Sequence, residues 1–266
     1  MIREAKAEDF EILIPDTEAA VRLRSLAEVY GPGLPFLRLW CDGEGGFASL
    51  LDGAAVLSLP RGLNAEWAAF VSMQPEVESI RTDGETARRL ASAGGWQVAS
   101  GAVMAPGPAL AEPAASPVSL SPRECWPVLE ASFRGSLPPF SAWYVDVSHR
   151  LRHGYARIVG FREDSGEPPS SPEMPGKPVS TAMTVAECGP ASCEPAYGGA
   201  ALIGAVATLP AGRGRGYASA AVLTLAHTLL AEGRRVFLSP KNAHAHALYA
   251  RIGFVECGEW GSLKRR

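Results

Sequence analysis

The 266-residue sequence has no apolar run approaching the roughly 18 residues that span a bilayer. It has no strong excess of either charge. The formal net charge is −3, which gives no electrostatic reason to expect nucleic acid or an acidic membrane surface as a partner. The first stretch, MIREAKAEDFEILIPD, carries charges where a secretory signal needs an apolar core. Cysteine is scarce and odd in number: five residues with no metal-ligand spacing. Cys188 and Cys193 form one close pair, in a Gly/Pro-containing segment, and they read as free thiols of a reducing compartment. His244 and His246 lie two apart on a helical stretch and so point to different faces, which argues against a metal site. These absences lead to the expectation of a soluble cytoplasmic protein with neither nucleic-acid nor membrane partners.

What is present is a chain in two α/β halves. The segment APGPALAEPAASPVSLSP (105–122) is dense in proline, which removes donors and fixes φ, and it reads as a linker. Domains are accordingly expected at 1–112 and 117–266. A second such stretch, EDSGEPPSSPEMPGKP (163–178), lies between two strand-like segments and reads as a long, mobile hairpin insertion. In the second half, helices are expected at 122–133 and 140–154 and strands at 155–161 and 179–187. Residues 200–209 are almost wholly apolar and read as a strand in the middle of the sheet. A helix over 215–232, a strand at 235–239, a helix at 243–252 and two final strands, 254–257 and 260–264, complete the series. The basic end, Lys264–Arg266, reads as solvated charge.

The first half repeats the later part of that order in shortened form. Strands are expected at 36–41, 47–51 and 54–59, then a helix at 64–72, a strand at 77–81, a helix at 85–93 and a strand at 96–104. LSLP at 57–60 precedes its helix as ATLP does at 207–210. ARRLASAGGW (87–96) has the layout of AHALYARIGF (245–254), placing Leu90 under Leu248 and Gly95-Trp96 under Gly253-Phe254.

The richest local signal is LPAGRGRGYASAAV (209–222). It lies between the apolar strand and a helix with little polar surface. At a helix start the first N–H groups lack intrahelical acceptors and the macrodipole is positive, so an anion is favoured there. Gly212, Gly214 and Gly216 allow a sharp turn and close backbone approach. Arg213 and Arg215 add bidentate donors suited to phosphate. The Walker pattern is absent, and so is G-x-G-x-x-G, because Ser219 stands where the third glycine is needed.

In this context the stretch resembles the acetyl-CoA fingerprint of the GNAT acetyltransferase superfamily, a strand, an x-P-x-x-[QR]-x-x-G-x-[GA] turn and a helix. Here the turn runs from Thr208 to Ala218. A second family motif, N-x-x-A-x-x-L-Y-x-x-x-G-F, is matched by NAHAHALYARIGF, with Asn242, Ala245, Leu248, Tyr249, Gly253 and Phe254 in place. The resemblance implies a GNAT fold, a mixed central sheet flanked by helices, in two tandem copies with the N-terminal one degenerate. It further implies acetyl-CoA as co-substrate and no metal. The pyrophosphate is expected on the backbone of Arg213, Gly214, Arg215, Gly216, Tyr217, Ala218 and Ser219. The pantetheine arm is expected along Val206, Ala207 and Thr208. Tyr249 stands at the family's general-acid position, and Asn242 at a cofactor-contacting position that also suits a helix N-cap.

No carboxylate stands on 200–209, where many relatives carry the general base. Glu187, Asp146, His149 and His153 are the candidates, and none is assigned. The first half lacks the working parts: LPRGLNAEWA has no glycine pair at the family spacing, and Ala91 stands under Tyr249. It is expected to pack on the catalytic half and shape the acceptor site. The reading that follows is an N-acetyltransferase acting on a primary amine of a small molecule. The alternatives are a protein N-terminal or lysine acetyltransferase and a non-catalytic acyl-CoA-binding module.

Overall fold

The computed structural model describes residues 1–163, 176–189 and 199–266. The interior of the expected hairpin insertion, 164–175, and Cys193 lie outside the described residues. In the first half the elements run β1 (Arg3–Glu4), a 3₁₀ turn (Ala7–Ile12), α1 (Glu18–Tyr30), β2 (Leu37–Cys41), β3 (Phe47–Leu51), β4 (Ala54–Ser58), α2 (Ala65–Ser72), β5 (Ser79–Asp83), α3 (Gly84–Ser92) and β6 (Trp96–Pro106). The second half runs β7 (Val118–Ser119), α4 (Pro122–Ser132), α5 (Phe140–Arg152), β8 (Ile158–Arg162), β9 (Pro178–Cys188), β10 (Ala200–Thr208), α6 (Tyr217–Ala231), β11 (Arg235–Leu238), α7 (Ala243–Arg251) and β12 (Phe254–Arg265). The strands on either side of the undescribed insertion pair antiparallel up to Arg162 and Pro178.

Local chemistry sets most helix starts. Thr17, Asn64, Asp83, Ser121 and Asn242 each cap a helix by accepting a hydrogen bond from a first-turn N–H. α1 was not expected from the sequence. Thr17 caps it, Gly31 ends it at φ 72°, and Ala20, Val21, Leu23 and Leu26 bury its inner face. With β1 and α1 in place, the first half repeats the early part of the order as well as the late part. α6 begins at Tyr217 rather than Arg215, because Gly216 is left-handed at φ 77° and cannot be its first helical residue.

The described strands form one sheet in the order β1-β2-β3-β4-β5-β12-β6-β11-β10-β9-β8-β7. Each half has given its last strand to the other. β12 lies between β5 and β6, pairing antiparallel with both, and β6 reaches β11 through Leu238 and Met104. The cores record the exchange. Leu263 of β12 is fully buried in the cluster of Trp67, Ile80 and Leu90. Met104 of β6 is buried with Ile203, Val222, Leu225 and Phe254. The two final strands expected from the sequence are one strand with a register shift between Glu256 and Gly258. Gly258 and Gly261 give that segment a broken look in sequence, yet Gly258 pairs with Val103 and Gly261 with Ser100.

Among the described residues no helix is long and apolar enough to cross a membrane.

Candidate active site

The central feature is a parting of two strands. β10 and β11 pair in parallel from Ala200 with Arg235 to Ile203 with Leu238, and there β11 ends. β10 continues to Thr208 paired with β9, so among the described residues the backbone groups of Gly204–Val206 on the vacated side have no strand to bond. At the same place β10 bulges. Three steps along it, Gly204 to Ala207, match two along β9, Met183 to Thr181. Ala205 sits in the bulge at φ 49°, a left-handed conformation that costs an L-residue roughly 1–2 kcal/mol. Such strain collects where backbone must be aimed at a ligand.

A cleft of about 630 Å³ opens from this parting. Gly204, Ala205 and Val206 of β10 line it together with Asn242, Ala245 and Tyr249 at α7. Of the three pantetheine positions expected from the sequence, Val206 lines the cleft. Ala207 and Thr208 lie farther along β10, paired with Thr181 and Ser180. Gly204 and Ala205 were missed, because only the end of β11 determines where the backbone becomes free.

Tyr249 is 8% exposed and lies 6.2 Å, ring to ring, from Phe254. Burial alone pushes its phenol up to about 12, so it stays protonated through the neutral range. Asn242 accepts a hydrogen bond from Ala245 N–H at 2.8 Å, which is the cap role, and it also lines the cleft.

Past Thr208 the chain makes a 3₁₀ turn, Pro210–Gly212, and reaches α6 through Arg213–Gly216. Gly214 and Gly216 both have φ 77°. α6 has no side-chain cap and no acidic residue in its first turn. Its first intrahelical bond runs from Ala220 N–H to the Gly216 carbonyl. The N–H groups of Tyr217, Ala218 and Ser219 are therefore left without an intrahelical acceptor beside exposed Arg213 and Arg215. Tyr217 is held by stacking on Phe161, with centroids 4.5 Å apart. A diphosphate fits this geometry: open donors, a positive helix end and two neighbouring guanidiniums. Replacing Gly216 by valine forces a β-branched residue into a left-handed position at the helix start. Acetyl-CoA is expected to bind at least about tenfold more weakly to Gly216→Val, read by titration calorimetry. An unchanged affinity would remove this turn from the binding site.

The base candidates do not reach the cleft. Glu187 is fully buried, accepts from Thr184 Oγ1 at 2.6 Å, and pairs with Arg157 at 3.2 Å and Arg234 at 3.7 Å. Asp146 is engaged by Arg150 at 2.8 Å and by the Tyr30 hydroxyl. His149 stacks on Tyr30 at 5.6 Å and lies tilted against His153 at 4.5 Å. None of the four lines the cleft.

The other end of the cleft was not legible in sequence. Arg81 of β5, Ser262 of β12 and Ala99 of β6 stand side by side in register, and Trp260 is two residues before Ser262 on the same face. Arg22 of α1 completes that end. The exchange of strands thus sets residues of both halves around one cavity. In the first half, a space of about 10 Å³ lies among Trp40, Leu57, Phe70 and Ile80, under α2. Among the described residues there is no group of three or more His, Cys, Asp or Glu that could hold a metal.

Residues 191–260, which span both sequence motifs, match the family model described as FR47-like protein. Similar solved structures include a GCN5-related N-acetyltransferase from Sphaerobacter thermophilus, with 17% identity and a TM-score of 0.60 over 100% of this chain and 95% of that one. A tandem GNAT protein from the clavulanic acid biosynthesis pathway gives 17% identity and a TM-score of 0.56 over 99% and 97%. An acetyltransferase from the GNAT family of Colwellia psychrerythraea gives 13% and 0.56 over the whole of both chains. At such identities the likeness is one of fold. No curated protein matches the sequence.

Proposed function

We propose, for a chain whose fold is that of the GNAT superfamily, that it transfers an acetyl group from acetyl-CoA to a primary amine of a small molecule. The observation that carries this reading is the parting of β10 from β11, with Tyr249 lining the cleft that opens there and the glycine turn at the strand's end. The open N–H groups of Tyr217–Ser219, with Arg213 and Arg215, would hold the diphosphate. The unpaired backbone of Gly204–Val206 would take the pantetheine arm as an added strand. An N–H at the Ala205 bulge would bond the thioester oxygen and stabilise its developing charge. The amine nitrogen attacks the thioester carbon, the new C–N bond forms and the C–S bond breaks. Tyr249 gives its proton to the leaving sulfur and is reprotonated from solvent, which also takes the proton lost by the amine.

The first test is a panel of amines in which release of the CoA thiol is followed. Amine-dependent release with a one-to-one acetylated product is expected. Tight acetyl-CoA binding with no release for any amine would favour the second reading, a non-catalytic acyl-CoA-binding module, for which the absence of a carboxylate from β10 is the argument.

A further inference from the structure

Among the described residues, the charged side chains on the cleft wall are Arg22, Arg81 and Lys241, all cations, with no carboxylate beside them. Behind the wall, Glu18 is 4% exposed and is shared by two guanidiniums. Arg81 Nη2 donates to both Glu18 oxygens at 2.8 Å, and Arg22 Nε donates to Oε1 at 2.9 Å. One carboxylate against two arginines leaves a surplus positive charge at this end. The donors are also incompletely used. Arg81 Nε is buried and has no hydrogen-bond partner, and the same holds for Trp260 Nε1 and Ser239 Oγ. All three residues line the cleft. The Arg81 guanidinium lies 4.1 Å from the centre of the Trp260 ring, which orients the planar fork. Gly101 beneath that ring leaves it room, since a Cβ there would come within 2.9 Å of the indole.

Buried donors without acceptors are costly, and a net cation behind them calls for an anion. A carboxylate offers only acceptor sites, about four of them, and matches guanidinium geometry. We infer that this end of the cleft is a carboxylate subsite, and that the acceptor is a small molecule carrying both an amine and a carboxylate, of the amino-acid class. The inference rests on the acetyl-transfer reading for the fate of the amine. It also bears on the unassigned base. With the carboxylate paired to Arg81, the amine lies beside the cations Arg22 and Lys241 of the cleft wall, and like charge favours its neutral, nucleophilic form. The proton then leaves to solvent without a protein carboxylate.

The test compares amino acids with their carboxamides, which keep the amine and lose the anion, by calorimetric binding in the presence of CoA and by kcat/KM with acetyl-CoA. For the preferred acceptor the acid is expected to exceed the amide about 10- to 100-fold in both readouts, the range of a charge-assisted contact. Arg81→Gln is expected to cut that ratio to within about threefold, mainly through KM. Arg81 also pairs with Glu18, so Trp260→Phe serves as a second variant that keeps an aromatic face, removes the indole donor and leaves the Arg81–Glu18 pair in place. It is expected to cut the ratio about threefold or more. Equal binding of acids and amides by the native protein, or a ratio unchanged in both variants, would overturn the inference. Acetyl-CoA binding and turnover without the preference would sink the carboxylate subsite alone. The preference without acetyl-CoA binding would sink the acetyl-transfer reading alone.

Discussion

Phenylalanine at position 249 is expected to lower kcat about 10²–10³-fold and leave the dissociation constant of acetyl-CoA within about a factor of two. A positioned general acid contributes roughly 10²–10⁴ in rate, and Phe keeps the ring that packs near Phe254. Only the hydroxyl is lost, so stability should change little. Burial pushes the Tyr249 phenol up to about 12, so the proton it supplies is present at every ordinary assay pH. The pH–rate profile should therefore show no limb from Tyr249 between pH 6 and about pH 9. A thiolate released without help would leave kcat unchanged in the Phe variant. That result would return Tyr249 to a packing role, as a helix residue against the sheet.

The second large effect belongs to Glu18. Burial raises its carboxyl, but the fields and hydrogen bonds of Arg22 and Arg81 outweigh burial and hold it below the usual 4.5. Replacing it by glutamine leaves two guanidiniums facing each other with a neutral partner. Removing one member of a buried ion pair costs roughly 3–5 kcal/mol, and the low end applies here because Arg22 is 31% exposed. Glu18→Gln is therefore expected to lower unfolding stability by about 3 kcal/mol at pH 7, read from denaturant midpoints at constant slope. A carboxyl whose folded pKa is depressed contributes stability that is full above its unfolded value and is lost as pH falls through the folded one. The gap between native protein and variant should thus be widest at neutral pH and shrink below about pH 4.5. A gap that is constant with pH would mean that the carboxylate's charge is not what holds α1 to β5.

The parts of the site that depend on local sequence were readable. The glycine–arginine turn needs left-handed residues at fixed places, and Gly214 and Gly216 supply them. The α7 motif needs a cap at Asn242 and an aromatic two turns on, and both lie in one short stretch of chain. α1 was also readable in principle. Thr17 before an Ala-Ala-Val-x-Leu stripe is a start signal followed by a buried face, but the dense charges around it obscured the pattern.

The strand exchange was beyond sequence. Nothing local distinguishes a β12 that pairs with its own half from one that lies between β5 and β6, because the choice is made by long-range register. The Arg22–Arg81 end of the cleft was hidden for the same reason. Arg22 and Arg81 are ordinary arginines 59 positions apart, and only the fold brings them to one cavity with Trp260.

Calorimetric titration of the intact chain with acetyl-CoA tests the central claim, one cofactor site built on β10 and α6, most directly. A single site per chain is expected, weakened at least about tenfold in Gly216→Val. Two equivalent sites per chain, or no binding at all, would contradict it.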